Sequence, residues 1–317
     1  MRAVALRRFG DPDVLEVVEL PAPHAGPGEV RVRVHAATVN PVDILIRTGR
    51  SAVRLRPGEP LIPGLDIAGV VDEIGAGTVT DLAIGYRVMA MVNPTRPAGG
   101  GYAELVVLAA DQVTAAPAGA SHAEAATLPM NGLTAMHALD QLAVPAGGTI
   151  AVTGAAGAVG GYAVQLARAA GLRVLADAAP RDEALVAALG ADAVVARGEG
   201  LAARLRHLAP GGVDGIVDAA SVGAPLLPAI RAAGRLATVR EPAPGLAELA
   251  AGRDVTLVPV FVHVYDGRPD KLDRLRRLAE RRELTLRVAT EVPPEQAGHA
   301  HRTLAEGGTR GRIVIAF

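Results

Sequence analysis

The sequence contains no cysteine and no tryptophan, and only 2% of its 317 residues are aromatic. Without cysteine the chain has no disulfide, no thiolate metal ligand and no cysteine nucleophile. Half of the residues are hydrophobic. Because so few of these are aromatic, the core must be built mainly from Ala, Val, Leu and Ile. The length suits two domains, or one large domain, with a sizeable core.

The chain also has no excess of either charge, because it contains 32 basic and 33 acidic residues. Lys271 is the only lysine. This balance offers no electrostatic surface to nucleic acid or to an anionic membrane. The N-terminal segment carries Arg7, Arg8 and Asp11 and does not resemble a signal peptide. We therefore expect a cytoplasmic protein that acts on a small molecule and has no nucleic acid or membrane partner.

The first third of the chain is rich in predicted strands. Runs of β-branched residues at 14–18, 30–34, 67–71, 87–91 and 104–107 lie between clusters of Gly and Pro. This pattern is typical of short strands joined by long loops. We assign residues 1–120 to a mostly β domain, and its loops are where a substrate site is expected.

From residue 121 onward, strand and helix patterns alternate. The sequence Ser121-His122-Ala123-Glu124 is a capping box, which predicts the start of a helix. Predicted strands follow at residues 149–153, 173–177, 193–196, 214–218 and 235–239, and predicted helices at 158–170, 181–189, 200–208 and 224–233. The alternation predicts a parallel doubly wound sheet, so we assign residues 121–264 to a Rossmann nucleotide-binding domain.

Further elements follow the five alternating strands. A long apolar strand is predicted at 255–264, then a helix at 269–282, a strand at 284–289, a helix at 294–305 and a strand at 312–317. Because the alternation already ends at Val239, we expect residues 265–317 to complete the first domain.

The strongest chemical signal is a loop of small residues between the strand at 149–153 and the next helix. It contains Thr153, Gly154, Ala155, Ala156, Gly157, Ala158, Val159 and Gly160. Small residues let the backbone approach a pyrophosphate, and the helix N-terminus offers free N–H groups and a positive dipole end. The pattern is the dinucleotide fingerprint with alanine at the first glycine position. The alternative is tight packing of helix on strand without a ligand.

Several segments of the sequence carry a family resemblance. They are residues 2–4, 26–30, 39–43 (Val-Asn-Pro-Val-Asp), 62–69 (Ile-Pro-Gly-Leu-Asp-Ile-Ala-Gly), 100–104, 128–135, the glycine loop and 310–314. Through them the chain resembles, over essentially its whole length, the zinc-independent quinone oxidoreductases (ζ-crystallin-like) of the medium-chain dehydrogenase/reductase superfamily. The resemblance implies an α/β protein with a GroES-like, mostly β catalytic domain and a Rossmann domain. It also implies a nicotinamide in the cleft between the domains and a homodimer formed through the strand at 255–264.

Two positions separate the chain from the zinc-dependent relatives of that family. By resemblance, Asn40 stands where they carry Cys, and Gly64-Leu65-Asp66 stands where they carry Gly-His-Glu. These residues cannot form a zinc site, so no metal ligand is predicted. Without a Lewis acid, oxidation through a zinc alkoxide is not expected. Reduction of a quinone or an α,β-unsaturated carbonyl by NADPH is better suited, because the developing oxyanion needs only hydrogen-bond donors or water.

The resemblance implies roles for single residues. Asn40 is expected at the edge shared by nicotinamide and substrate, as a catalytic residue whose amide donates to a carbonyl oxygen. Asp43 is a second catalytic candidate, or it caps the following helix. Thr134 matches a threonine near the nicotinamide, or it bonds back to its own helix. Ser221 is expected near the adenine, and Arg312, in the matching C-terminal segment, joins the cofactor-binding set.

The choice of cofactor depends on two residues. Asp177 lies 20 residues after Gly157 and ends a predicted strand, where an acid that binds the ribose 2′-hydroxyl favours NAD. Arg181 could bind a 2′-phosphate, which favours NADP, or it is a solvated residue of the first helical turn. By resemblance, Arg181 matches a position that is often basic, and the acid of NAD-using members would fall at Ala178. We therefore expect NADPH, with NADH as the alternative.

The substrate remains open at this point. Residues 44–51 contain no aromatic ring, although the family often places tyrosines there. The main hypothesis is an NADPH-dependent, zinc-independent reductase of quinones or enones. One alternative is a tailoring enoyl or ketone reductase of secondary metabolism with a single bulky substrate, motivated by the ring-free stretch and the arginine-rich segment 47–56. The other is an NADPH-binding protein with little or no catalysis.

Overall fold

A computed structural model describes all residues from Met1 to Phe317. The chain forms two compact units. Unit 1 comprises Met1–Met130, Tyr265–Glu280 and Leu286–Phe317, and unit 2 comprises Asn131–Val264 and Arg281–Thr285. Residues 121–130, which we assigned to the second domain, therefore belong to unit 1. No helix has the length and apolar character needed to cross a membrane.

Unit 1 is built mainly from antiparallel strands. Its N-terminal part contains β1 (Arg2–Ala5), β2 (Glu16–Glu19), β3 (Glu29–Val39), α1 (Pro41–Arg47), β4 (Asp66–Ile74), β5 (Arg87–Met91), β6 (Leu105–Ala109), β7 (Val113–Ala115) and α2 (His122–Ala126). The next helix, α3 (Pro129–Leu142), begins in unit 1 and continues into unit 2. The alternation of buried and partly exposed residues along β3 is the period-two pattern of a sheet with one face in the core.

Unit 2 is a parallel sheet with helices. It contains β8 (Thr149–Thr153), α4 (Ala158–Ala169), β9 (Arg173–Ala178), α5 (Glu183–Ala188), β10 (Ala193–Ala196), α6 (Leu201–Leu208), β11 (Val213–Asp218), β12 (Ile230–Thr238), α7 (Leu246–Ala251) and β13 (Val255–Pro259). The spatial order is β10-β9-β8-β11-β12-β13, with all pairs parallel. This is the 3-2-1-4-5-6 order of a Rossmann sheet, whose switch point lies between β8 and β11.

The C-terminal segment supplies two strands to the sheet of unit 1. Its elements are α8 (Pro269–Glu280), β14 (Val288–Val292), α9 (Ala297–Glu306) and β15 (Arg312–Ala316). The sheet runs β14-β15-β3-β4-β5-β7, with β6 also paired to β3. In particular, β15 lies antiparallel to the end of β3, so residues from both chain ends meet beside Val39. The mixed α/β architecture, with a GroES-like unit and a Rossmann unit, is the predicted fold class.

Two predicted elements in unit 2 are wrong in type or length. The helix expected at 224–233 is a 3-10 helix over Ala224–Ala229, and β12 begins at Ile230. Pro228 lies inside that segment, and its ring and missing N–H prevent a regular α-helix. The strand expected at 255–264 ends at Pro259, and a 3-10 helix covers Val262–Tyr265. Proline cannot donate to a ladder, which explains the early end.

The capping box predicted at residue 121 is present. The Ser121 hydroxyl accepts from the Glu124 N–H at 3.1 Å, and the Glu124 carboxylate accepts from the Ser121 N–H at 2.7 Å. Both bonds satisfy donors that the first turn of α2 would otherwise leave unpaired.

Replacing Ser121 by alanine is therefore expected to destabilise the protein by about 1 kcal/mol. Ser121→Asp is the matched control, because an aspartate can still accept from the Glu124 N–H and should unfold close to the wild type. Urea denaturation followed by circular dichroism measures both variants. Equal unfolding free energies for wild type and Ser121→Ala would show that the cap does not stabilise the fold.

Candidate active site

A network of buried polar side chains begins where β3 ends. Asn40 lies between β3 and α1 and is fully buried. Its amide nitrogen donates to an Asp66 carboxylate oxygen at 2.7 Å and to the Thr38 hydroxyl at 3.2 Å. Antiparallel pairing of β3 with β4 places Asp66, the first residue of β4, beside the last residues of β3. The two hydrogens of this amide thus have partners within the network.

Asp66 is the centre of this network. Besides Asn40, its carboxylate accepts from the Thr38 hydroxyl at 2.7 Å and from the Met130 N–H at 2.6 Å. Burial raises the pKa of Asp66, whereas these hydrogen bonds and the charge of Arg312 act in the opposite direction. Arg312 is itself buried on β15, and its guanidinium lies 3.5 Å from the Val39 carbonyl. The structure therefore places Arg312 beside Asp66 in unit 1.

Asp43 holds the first turn of α1 and the loop before β4. One carboxylate oxygen accepts from the Asn40 N–H at 2.8 Å and from the Tyr102 hydroxyl at 3.1 Å, and the other accepts from the Gly64 N–H at 2.9 Å. The bond from the Asn40 N–H is the one expected if Asp43 caps helix α1. Burial is the main cause that raises the pKa of Asp43 to about 7. The carboxyl of Asp43 is thus close to half protonated at neutral pH.

Tyr102 and His301 extend the network. The Tyr102 ring packs on Gly64, where an added Cβ would lie 2.4 Å from a ring carbon and where φ is +104°. Only glycine meets both conditions. The Tyr102 hydroxyl also lies 3.3 Å from the Nε2 atom of His301 on α9. Burial lowers the pKa of His301 to about 3, so the imidazole is neutral. No local sequence pattern indicates this pairing, because the residues are 199 positions apart.

The residues at the zinc positions do not fit a zinc ion. Zinc in proteins prefers thiolate and imidazole ligands, with carboxylate as a third choice. Here Asn40 and Asp66 bond to each other, and Leu65 is a buried hydrocarbon. No group of three or more His, Asp or Glu side chains is arranged to hold a metal ion.

The small-residue loop follows β8 in unit 2. Gly157 precedes the first residue of α4, as expected for a helix that begins at the loop. A Cβ at Gly160 would lie 2.3 Å from the Gly154 carbonyl oxygen, so α4 packs against the loop more closely than any other residue allows. This is the role of the third glycine in the fingerprint. Ala155 and Ala156 are buried, and the loop accommodates alanine in place of the first glycine.

Asp177, at the end of β9, is bound to this loop. Its carboxylate accepts from the Gly154 N–H at 2.6 Å and from the Ala155 N–H at 3.4 Å. Burial raises the pKa of Asp177, and the charge of Arg197 opposes that rise. Arg181 follows β9 with a side chain that is 74% exposed, 4.0 Å from Asp182. Two arginines, of which the sequence indicated only Arg181, thus follow neighbouring strands near Asp177.

Asp218, which the sequence analysis missed, organises the loop after β11. Its carboxylate accepts from the Thr153 hydroxyl at 2.6 Å, from the Val222 N–H at 3.0 Å and from the Gly223 N–H at 2.8 Å. The loop that follows Asp218 holds Ser221 at φ +57°, a region that a non-glycine residue rarely adopts. The available signal was its position, since Asp218 ends a strand next to the switch point of the sheet.

A cavity of about 230 Å³ lies at the ends of β11 and β12. Asp218, Ser221, Thr238 and Arg240 contribute to its wall. The Thr238 hydroxyl is buried and has no hydrogen-bond partner in the protein, so it is available to a ligand. Thr134, the remaining candidate, is buried on α3. The loop, the cavity and the orphaned hydroxyl together fit a dinucleotide at the carboxyl ends of the strands.

Comparison with known proteins places this arrangement in a family. Residues 26–118 match the alcohol dehydrogenase GroES-like domain, and residues 189–315 match the zinc-binding dehydrogenase family. A chloroplast envelope quinone oxidoreductase homolog of Arabidopsis thaliana is 40% identical over 190 residues, which cover 57% of this chain and 56% of that protein. The chain thus matches little more than half the length of that relative.

Solved structures match the whole chain. A crystal structure of an NAD-dependent alcohol dehydrogenase is 30% identical with a TM-score of 0.88, and the match covers 100% of each chain. A mycobacterial protein solved in complex with NADPH is 26% identical with a TM-score of 0.86, again over 100% of each chain. The chain therefore belongs to the medium-chain dehydrogenase/reductase superfamily, and the curated relative that it resembles over part of its length is a quinone oxidoreductase homolog.

Proposed function

We propose that the chain is an NADPH-dependent reductase that works without zinc and transfers hydride to a quinone or an α,β-unsaturated carbonyl. The observation that carries this proposal is the buried pair of Asn40 and Asp66 at the positions where zinc-dependent relatives hold their metal. Without a Lewis acid at this position, an alcohol oxygen has no charge to stabilise its alkoxide. A conjugated acceptor needs less help, because its oxygen can be served by hydrogen bonds alone.

The residues of unit 2 would hold the cofactor, which supplies the hydride when bound. The N–H groups of the first turn of α4, from Ala158 to Gly160, and the dipole of that helix favour a pyrophosphate. Loop N–H groups occupy both oxygens of Asp218 and one oxygen of Asp177, which limits how far either acid acts as a free charge toward the phosphates. Their role is to fix the two loops, and the Thr238 hydroxyl offers a further hydrogen bond.

In this proposal, Asn40 does not donate a hydrogen bond to the substrate oxygen, and its role is to shape the site. Its amide hydrogens are engaged by Asp66 and Thr38. Breaking the bond to a buried carboxylate would cost about 1.5–3 kcal/mol, since hydrogen bonds to charged groups are the strong ones. The oxygen of the reduced product is therefore served by water or by a ribose hydroxyl, and Asn40 shapes the wall beside it.

The preference for NADPH rests on charge near the end of β9. An acid that selects NAD must offer its carboxylate to the ribose, but one oxygen of Asp177 is committed to the Gly154 and Ala155 N–H groups. Arg181 is exposed and held only by a loose contact with Asp182, and the charge of Arg197 acts on Asp177. Two guanidinium groups in this region favour a 2′-phosphate.

The direct test follows NADPH oxidation with a panel of quinones and cyclic enones. At least one substrate should be turned over, and neither EDTA nor 1,10-phenanthroline should change the rate. Gly160→Val is the negative control, because its side chain would collide with the Gly154 carbonyl and close the loop. Loss of activity on chelation would overturn zinc independence. Tight NADPH binding without turnover of any panel member would overturn the reductase function.

The cofactor preference is tested by the double variant Arg181→Gln/Arg197→Gln. Each charge-assisted bond to a phosphate is worth about 1.5–3 kcal/mol, so KM for NADPH should rise tenfold or more. KM for NADH should stay unchanged, because NADH has no 2′-phosphate. Arg206→Gln, an exposed arginine on α6, is the matched control. An equal rise for both cofactors would assign these arginines to shared parts of the dinucleotide.

The protonation of Asp43 predicts how stability depends on pH. The pKa of Asp43 is about 7 in the folded protein and about 3.9 when unfolded, so the folded state binds the proton more tightly. Relative to Asp43→Asn, wild-type stability should be highest below about pH 4 and fall by about 1.4 kcal/mol per pH unit until about pH 7. Above pH 7 the difference should be constant.

Urea unfolding at pH 5, 6, 7 and 8 measures this difference. The comparison with Asp43→Asn removes the opposite slopes of other groups, such as buried histidines. Asp81→Asn, an exposed aspartate of the same unit, should show no such slope. A stability difference independent of pH would mean that Asp43 is ionised throughout.

A further inference from the structure

A second cavity lies in unit 1 and has no part in the site described above. Its volume is about 490 Å³, and its wall comes from the segments 52–62 and 94–100, the start of the chain, residues 20–23 and β6. None of Asn40, Asp43 and Asp66 lines it, and neither do residues 44–51. Its volume is in the range of small-molecule sites.

The cavity combines apolar walls with three arginines. Leu61, Ile62, Leu105 and Val106 are buried hydrocarbon side chains of the wall. The arginines are Arg54, Arg56 and Arg96, and Glu59 is the only acidic residue of the lining. The cavity therefore carries an excess of positive charge in a chain whose overall charge is balanced.

Arg96 is the most deeply placed of the three. Its Nε donates to the Gly99 carbonyl at 2.8 Å, and its Nη1 donates to the Val107 carbonyl. No carboxylate lies within ion-pair distance. Burial lowers the pKa of Arg96, and the more distant charge of Glu29 only partly offsets this. A desolvated guanidinium without a counter-ion is costly, so this position gains most from an anion.

The other two arginines also have unused donors. Arg54 donates through Nη1 to the Ser51 and Val53 carbonyls. Arg56 donates through Nη1 to the Pro97 carbonyl at 3.4 Å and lies 3.7 Å from Glu59. The Nη2 groups of all three arginines make no hydrogen bond within the protein, which leaves the outer edge of each guanidinium for a ligand.

We propose that this cavity binds a small amphipathic carboxylate, with the carboxylate on the arginines and an apolar body against the Leu61 to Val106 wall. Guanidinium groups match carboxylates in pairs of parallel hydrogen bonds. A monoanion loses less hydration than a phosphate dianion when it enters an apolar cavity, which favours the carboxylate.

Isothermal titration of the full-length protein with octanoate tests the proposal. One octanoate should bind per chain. Both 1-octanol and acetate should bind at least tenfold more weakly, because 1-octanol lacks the carboxylate and acetate lacks the apolar body. Arg54→Gln/Arg56→Gln should weaken octanoate at least tenfold. Both side chains are exposed, so the variant is expected to fold normally. Arg8→Gln, an exposed arginine outside the cavity, is the matched control and should bind like the wild type.

A second variant tests the location of the site independently of charge. Val107→Trp introduces a large side chain on the β6 wall, next to Arg96, and should abolish octanoate binding. Circular dichroism confirms that each variant is folded, and if Val107→Trp does not fold, the arginine variant decides alone. Octanoate bound as tightly by the variants as by the wild type, 1-octanol bound as tightly as octanoate, or no octanoate binding would each overturn the proposal.

Discussion

Buried carboxylates that accept several hydrogen bonds hold the candidate site in place. Asp43, Asp66, Asp177 and Asp218 are each at most 4% exposed. A buried charge without partners would cost several kcal/mol, so each carboxylate has to gather donors from the chain around it. The donors are mostly backbone N–H groups, in loops at Gly64, Gly154 and Gly223 and in the first turn of α3 at Met130. The loops of both units are thereby fixed before any ligand arrives.

This arrangement changes which residues are available for chemistry. The acids that sequence patterns suggested as ligands of the ribose or as catalytic groups are occupied by the backbone, and the amide of Asn40 is occupied by one of the acids. What remains to face a ligand is backbone N–H, the Thr238 hydroxyl and surface guanidinium groups. In the proposed reductase, such a site would bind and orient its reactants, and it would leave proton delivery to water or to the cofactor's hydroxyls.

Local patterns predicted the elements well, and long-range contacts could not be predicted. The strand at Arg87–Met91 and the cap at Ser121 follow from β-branched runs and side-chain chemistry within a few residues. The helix expected at 224–233 is instead a short 3-10 helix, because the prolines at 225 and 228 oppose a regular α-helix. The role of Asp218 and the Tyr102–His301 contact depend on residues far apart in sequence, which local sequence patterns do not reveal.

The scarcity of aromatic residues has a structural counterpart. Tyr102 is fully buried, and its hydroxyl is a donor to Asp43 rather than part of a stacking surface. Residues 44–51 contain no ring, although the family resemblance implies tyrosines there, so in the proposed reductase a flat substrate would find nothing in this segment to stack on. Stacking is worth about 0.5–1.5 kcal/mol beyond burial, so its absence would weaken selection for flat rings by about two- to tenfold. In the proposed reductase, the shape and length of the substrate would therefore matter more than its aromaticity, which would favour enones with an aliphatic body over simple quinones.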